Sequence, residues 1–259
     1  MRVSIVNCVS TACDMMAFSD RSLISHAGCN NWDYVIVKWL ASPEVEDYLE
    51  RLPAIVESLT KTEGIEVHVI EHTTDESVGY VPNLRAMMNR GFDYGFKLNE
   101  YAGLVNTDCY FGPDWLKNLK KYAKRNRVIN SQHITPATAP KPARGIITED
   151  LGLPLDGQFK GHRFINLYDQ LFKDDVWIAP GHDHRQAATM PYLFHYDYWD
   201  FCGPWELTLK EGVPDMRFFR RVAAAGAEFA LALGSIVYHL ECGERKGKRP
   251  EGAEDLAEE

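Results

Sequence analysis

The stretch Gly103-Leu104-Val105-Asn106-Thr107-Asp108-Cys109-Tyr110-Phe111 is an apolar run that stops at Asn-x-Asp. With Tyr101 and Ala102 in front of it, residues 101–106 read as a buried strand. A carboxylate just past a buried parallel strand faces the crevice where open α/β sheets bind ligands. A hard divalent cation takes oxygen ligands and keeps positions for water and substrate phosphates. Asp108 is such a ligand, or it only caps the turn and the helix that starts near Pro113. The local sequence leaves both open.

The flanking patterns give the strand its setting. Residues 3–9, 33–40, 65–70, 101–106 and 128–133 are strand-like. Val45, Tyr48, Leu49, Leu52, Ile55, Val56 and Leu59 recur at helical spacing. Ser42 precedes Pro43 as an N-cap before a first-turn proline. Pro53 predicts a kink or a split in that helix. A second helix is predicted from Pro82 to Arg90, ended by Gly91. A third runs from Pro113 to Lys124 with Trp115, Leu116, Leu119 and Tyr122 on one face. Strand and helix in alternation predict a mostly parallel sheet flanked by helices. Ligands then bind beyond the carboxyl ends of the strands. Ser10, Thr11 and residues 106–108 fall at those ends.

After residue 134 the rhythm changes. Residues 134–145, "ITPATAPKPARG", read as a loop. Residues 145–200 are mixed, with a short helical pattern at 164–172 and the triplet His182-Asp183-His184. A helix from Val213 to about Ala225 ends at Gly226. Residues 229–239 are strand-like, interrupted by Gly234. The charged tail 241–259 is expected to be mobile.

The 259 residues are 45% hydrophobic and 25% charged, which suits one large globular domain or two small ones. A net charge of −9 gives no general affinity for phosphate backbones. Six cysteines, at 8, 13, 29, 109, 202 and 242, form no C-x-x-C pair. Neither a zinc ribbon nor a dense disulfide framework fits, and reduced thiols in a cytoplasm are expected. The first apolar run is too short and interrupted for a signal peptide, and no run reaches the ~20 residues of a membrane span.

Three segments together carry a resemblance. "NRGFDYGFKLNEYAGLVNTDCYFGPDWLKNL" (89–119) resembles the nucleotide-sugar-binding half of the GT-A glycosyltransferases, in the family 2-like group. There a helix bearing an Asn leads into a strand ending in D-x-D or N-x-D, and a Pro-x-Trp-Leu helix start follows. "EGVPDMRFFRRVAAAG" (211–226) resembles that group's acidic helix start, with Pro214 in place of the first acid and Arg220 or Arg221 as the group's Arg. "GSIVYHLECG" (234–243) resembles its late strand ending in His. The resemblance implies that Asp108 and His239 hold Mn²⁺ or Mg²⁺. It implies Asp215 as catalytic base, a role that a carboxylate in a cleft can fill. Donor contacts are implied for Ser10, Thr11, Asn83, Asn106, Thr107 and Asp108. The acidic residue usual after the second strand is missing, and Lys38, Trp39 or Ser42 stands in its place. Acceptor contacts are expected from Trp199, Trp205 and Glu206, and from His182 and His184. The H-x-H triplet also suits a transition metal. Arg217, Arg220 and Arg221 form a basic helix face, for a phosphate-bearing acceptor or for pairing with nearby acids.

The expectation is therefore an α/β, GT-A (Rossmann-like) chain. It is a single domain over 1–240 with an acceptor-side insertion, its nucleotide-sugar half at 1–135 and its acceptor half at 136–240. The implied activity is metal-dependent, inverting sugar transfer from a nucleotide sugar to a glycan, small molecule, protein or modified nucleobase, with no membrane partner. A nucleotidyltransferase, a nucleotide phosphohydrolase, or a silent nucleotide-sugar-binding module would share the strand-end carboxylate.

Overall fold

The computed structural model describes residues 1–9, 13–60, 64–73, 80–136, 146–152, 157–184, 190–207 and 214–240, with the side chains of 13, 14, 80, 81 and 214–216 left aside. The first half runs β1 (Ser4–Val9), α1 (Cys13–Ser25), β2 (Trp32–Lys38), α2 (Pro43–Thr60), β3 (Ile65–Glu71), α3 (Tyr80–Leu98), β4 (Tyr101–Val105), β5 (Cys109–Phe111), α4 (Trp115–Tyr122) and β6 (Arg127–Thr135). The second half adds β7 (Ile146–Thr148), α5 (Gly161–Leu171), β8 (Val176–Ile178), a 3₁₀ turn at Pro180–His182, β9 (Tyr192–His195), α6 (Tyr196–Cys202), α7 (Pro214–Ala224) and β10 (Glu228–His239).

Among the described residues all the strands join one sheet, in the order β3-β2-β1-β4-β9-β6-β10-β5, with β7 beside β6 and β8 beside β10. β1, β2, β3 and β4 pair in parallel. β9 runs antiparallel to both β4 and β6, and β6 is parallel to β10. β1 to β4, β6 and β10 therefore all point one way. Val9, Lys38, Glu71, Val105, Thr135 and His239 end on the same edge, called here the carboxyl edge. β5 turns back antiparallel against the end of β10.

Strand alternation sorts the side chains onto two faces. Ile5, Val9, Ile36, Val105, Ile129 and Val237 meet α1, α2 and α4. Val6, Val35, Leu104, Val128, Tyr192, Phe194 and Phe229 meet α3, α6 and α7 in a cluster rich in aromatic rings. α2 buries the stripe Val45, Tyr48, Leu49, Leu52 and Val56 and places Glu44 and Glu46 in its first turn, where the helix dipole favours them.

Several expectations need correction. Pro53 does not split its helix: α2 is one element through Thr60, with buried Leu52 and Val56 anchoring it on both sides of the proline. Gly91 does not end α3, which runs on to Leu98. A Cβ on Gly91 would lie 2.3 Å from Val6 Cγ1, and one on Gly95 would lie 3.0 Å from Ser4 Cβ. Both glycines let the helix lie close on β1 and do not mark its end. Gly234 sits in a bulge of β10, between Ala232 and Ile236, that leaves the strand continuous. The sheet is mostly parallel, as expected, with β5, β8 and β9 running antiparallel to their neighbours. The predicted mobile tail, 241–259, lies outside the described residues.

α1 was not legible as a helix. Its buried face carries polar Ser19, Asp20 and Ser22 beside Met16, Leu23 and Ile24. Those polar groups have structural partners. Ser22 Oγ accepts from Phe111 N at 3.0 Å, tying α1 to β5. Asp20 accepts from the hydroxyls of Tyr34 and Tyr48 at 2.5 and 3.0 Å, and Asn7 donates to Tyr34 at 2.8 Å. Burial pushes the Asp20 carboxyl up to about 7, against the lowering effect of the two tyrosine hydrogen bonds.

Two outcomes are expected. Gly91→Ala gains about 1 kcal/mol of helix propensity and loses about 1–3 kcal/mol to overpacking. Urea unfolding is therefore expected to show net destabilisation. Asp20 binds its proton more tightly in the folded than in the unfolded state, so its contribution to stability falls as pH rises from about 4 to about 7. Wild type should lose stability relative to Asp20→Asn across that window, and a difference that stays constant with pH would refute the buried carboxyl as the cause.

Candidate active site at the carboxyl edge

Residues 106–108 link β4 to β5 at the carboxyl edge. β5 is three residues long, and its register sets Cys109 opposite His239 and Tyr110 opposite Tyr238. The Leu240 N–H donates to the Asp108 carbonyl at 2.9 Å and extends that pairing by one bond. Asp108 and His239, far apart in sequence, are thereby placed side by side, with Asp108 Oδ2 3.4 Å from His239 Nε2. Asp108 is 6% exposed, and its Oδ1 has no hydrogen-bond partner among the described residues. An unpaired, buried carboxylate oxygen is costly, and a bound cation removes that cost.

Potential ligand atoms of Asp108, Cys109 and His239 lie within 4.8 Å of one another. Cys109 is fully buried in the apolar cluster with Phe111 and Val237, so carboxylate and imidazole are the edge's own donors. These O and N donors suit Mn²⁺ or Mg²⁺, and the orphaned Oδ1 shows that the residues fit a cation.

His133 belongs to the same place and was missed in the sequence. It lies on β6 in register with Val237, on the face that also carries His239 two residues later. The two imidazole rings are 5.8 Å apart. His133 is 5% exposed, and its buried Nε2 has no hydrogen-bond partner among the described residues. Burial, and then the neighbouring His239, push its imidazole down to about 3, so it stays neutral. Only the parallel pairing of β6 with β10, never the spacing along the chain, brings it near His239.

The other expected residues divide. Thr107 is buried, and the Asn106 carbonyl accepts from Ser19 Oγ at 3.4 Å, holding the 106–108 turn on α1. Asn83 is buried in the first half of α3, with its Oδ1 3.1 Å from His72 Nε2 just past the end of β3. Of the three residues standing in for the missing acid, Lys38 pairs with Glu46 and Glu71, Trp39 is buried, and Ser42 lies 3.4 Å from Val45 N at the start of α2. Ser10 and Thr11 lie outside the described residues, as does the side chain of Asp215. α7 turns at Ala225–Ala227 into the start of β10. Its first turn, with Asp215, is thus its end nearer the carboxyl edge.

The expected acceptor group does not assemble. Trp199 and Trp205 are buried with Phe92 and Phe218, and the Trp205 and Phe218 rings are 4.5 Å apart. Their faces are used in core packing and are not offered to a sugar. Glu206 is exposed and pairs with Arg217 and Arg221 at 3.2 and 2.8 Å, so two of the three arginines meet an acid. His182 Nδ1 is 2.6 Å from the Ala227 carbonyl, and the His184 ring is 6.0 Å from that of Phe229. Both histidines therefore stand at the start of β10, whereas His239 ends it. Twelve strand residues separate the two places, roughly 35–40 Å at about 3.3 Å each. A second acidic cluster, Asp33, Glu66 and His68, also lies near strand starts. There Arg2 and Asn99 already occupy Asp33, with bonds of 2.6 to 2.8 Å.

No protein-family model and no curated protein matches the sequence. Solved structures do match. S. aureus TarS 1-349 superposes with a TM-score of 0.59 at 10% identity, over 93% of this chain and 61% of that one. GalNAc-T7 with UDP, GalNAc and Mn²⁺ gives 0.51 at 12% identity, over 92% of this chain and 43% of that one. The mannosyltransferase PcManGT from Pyrobaculum calidifontis, in complex with GDP-Man and Mn²⁺, gives 0.51 at 10%, over 87% and 53%. This chain thus spans about 60% of the length of TarS 1-349 and about half or less of the other two. Such a likeness, at such low identity, shows the fold: the chain has the GT-A glycosyltransferase fold.

Proposed function

We propose that the chain is a glycosyltransferase that moves a sugar from a nucleotide sugar to an acceptor hydroxyl. The observation that carries this reading is Asp108, buried beside His239 with one oxygen unpaired, at the carboxyl edge of a GT-A sheet. Complexes of the structural neighbours point the same way: TarS with UDP, GalNAc-T7 with UDP, GalNAc and Mn²⁺, and PcManGT with GDP-Man and Mn²⁺.

In this proposal Asp108 and His239 hold Mn²⁺ or Mg²⁺. When bound, the cation neutralises charge on the departing nucleoside diphosphate. Asn106 offers an amide to the donor's ribose or sugar, and Ser10, Thr11, Asn83 and Thr107 line the rest of the donor site. Asp215 accepts the proton of the acceptor hydroxyl as that oxygen bonds to the anomeric carbon. The bond from the anomeric carbon to the diphosphate breaks in the same displacement, which inverts the centre. Glu206, near the start of α7, is an expected acceptor residue that remains exposed. We place the protein in a cytoplasm: none of Cys8, Cys29, Cys109 and Cys202 is in a disulfide. Among the described residues no helix is long and apolar enough to cross a membrane.

A thermal-shift panel of nucleotide sugars, with and without Mn²⁺, tests the reading, because a molecule that binds the native state raises the melting temperature. At least one donor is expected to raise it in a Mn²⁺-dependent way. Asp108→Ala should abolish the metal-dependent part. Asp215→Asn should keep the shift and lower turnover by about 10²–10⁴-fold. If no nucleotide sugar shifts the melting curve, sugar transfer is ruled out. Release of pyrophosphate or phosphate in place of nucleoside diphosphate would make the chain a nucleotidyltransferase or phosphohydrolase, and donor binding without turnover would make it a silent module. Asp108→Asn should separate function from stability. It removes a buried carboxylate whose Oδ1 has no partner among the described residues, so urea unfolding should show stability within about 1 kcal/mol of wild type or above it.

A further inference from the structure

We propose that residues 204–207 form a bracket between α3 and α7, and that Glu206 is a positioning residue for Asp215. The proposal rests on the functional reading above, which makes Asp215 the base and places Asn83 of α3 in the donor site.

On one side the segment is tied to α3. Asn89 Nδ2 donates to the Trp205 carbonyl and Asn89 Oδ1 accepts from the Trp205 N–H, each at 2.9 Å. Arg85, itself buried, donates to the Glu206 and Leu207 carbonyls at 3.4 and 3.3 Å. On the other side the segment is tied to α7. Arg217 donates to Glu206 Oε2 at 3.2 Å and Arg221 to Glu206 Oε1 at 2.8 Å. Arg221 also donates to the Pro204 carbonyl at 2.7 Å. The two arginines are four residues apart and so share one face of the helix. Glu206 thus meets α3 through its backbone and α7 through its side chain, with an arginine on each carboxylate oxygen.

The two helices are held in different ways. α3 lies close on β1 through Gly91 and Gly95. α7 buries Phe218, Phe219 and Val222 in the aromatic cluster. Apolar burial is non-directional, so it leaves the position of α7 along its own axis weakly determined. Charge-assisted hydrogen bonds add geometric specificity, and those of Glu206 reach Arg217, two residues beyond Asp215. Arg85, at the other end of the bracket, is two residues beyond Asn83. The bracket therefore sets how far the base stands from the donor. An exposed ion pair contributes little stability, whereas a misplacement of about 1 Å near a reacting centre costs on the order of 10²-fold in rate. The effect of Glu206 thus falls on turnover and not on folding.

The test incubates the full chain and Mn²⁺ with each nucleotide sugar of the thermal-shift panel, UDP-GalNAc and GDP-mannose included. It follows release of UDP or GDP with water as acceptor. Water then bonds to the anomeric carbon as Asp215 takes its proton, and a contact between Glu206 and the body of an acceptor has no effect on this rate. Glu206→Ala is expected to melt as wild type does, to keep the donor-dependent melting shift, and to lower kcat about 10–100-fold. Glu206→Gln, which keeps one acceptor oxygen for the arginines, should recover part of the rate. In an Asp215→Asn background Glu206→Ala should cause no further loss, since residues that act as a unit are not additive. An unchanged kcat in Glu206→Ala overturns the proposal. So does an equal loss in the Asp215→Asn background, or loss of the donor-dependent melting shift. Each of these leaves the functional reading in place. No release from any nucleotide sugar by wild type overturns that reading, and the proposal with it.

Discussion

Three residues of antiparallel pairing, Cys109–Phe111 against the end of β10, organise the carboxyl edge. The bond from Leu240 N to the Asp108 carbonyl fixes the backbone of the carboxylate, and the Cys109–His239 pair fixes the imidazole beside it. Such short pairing is weak alone. It holds because Ser22 of α1 bonds the Phe111 N–H and because Trp115 of α4 donates its indole N–H to the Leu23 carbonyl at 2.9 Å. The edge of the sheet is thus clamped from one face by two helices, and the polar groups that clamp it account for the polar character of α1.

Preorganisation has a cost that is visible in the same region. Asp20, Asp108 and His133 are all buried titratable groups. Asp20 has two tyrosine hydroxyls as partners and belongs to the scaffold. Asp108 Oδ1 and His133 Nε2 have none among the described residues, and Asp108 stands at the carboxyl edge, where a sheet of this kind takes its ligands. The aromatic cluster on the opposite face shows the contrary case. There Trp199 donates to Asp93 at 2.8 Å, and both backbone groups of Trp205 are bonded by Asn89 at 2.9 Å. Both rings are packed into the core.

Much of the fold was legible. The strands at 3–9, 33–40, 65–70, 101–106 and 128–133 lie on observed strands within a few residues, because buried parallel strands are continuous apolar runs. Helices α2, α4 and α7 showed their apolar spacing. The glycines of α3 misled because a glycine that ends a helix and one that lets a helix lie against a sheet look alike in sequence, and only Val6 facing Gly91 tells them apart. α1 stayed hidden because its buried face is partly polar. The antiparallel strands β5, β8 and β9 are three or four residues long and carry too little pattern to read.

The sequence alone determined the alternating architecture, and its resemblance to the GT-A group singled out Asp108 and His239 at two strand ends. Tertiary structure decided which residues meet. It brought His133 to His239 through a parallel pairing, sent His182 and His184 to the opposite end of β10, and enclosed Trp199 and Trp205 in the core. Proximity in a sheet depends on strand order and register, which are set by packing among distant segments, and no local spacing records them.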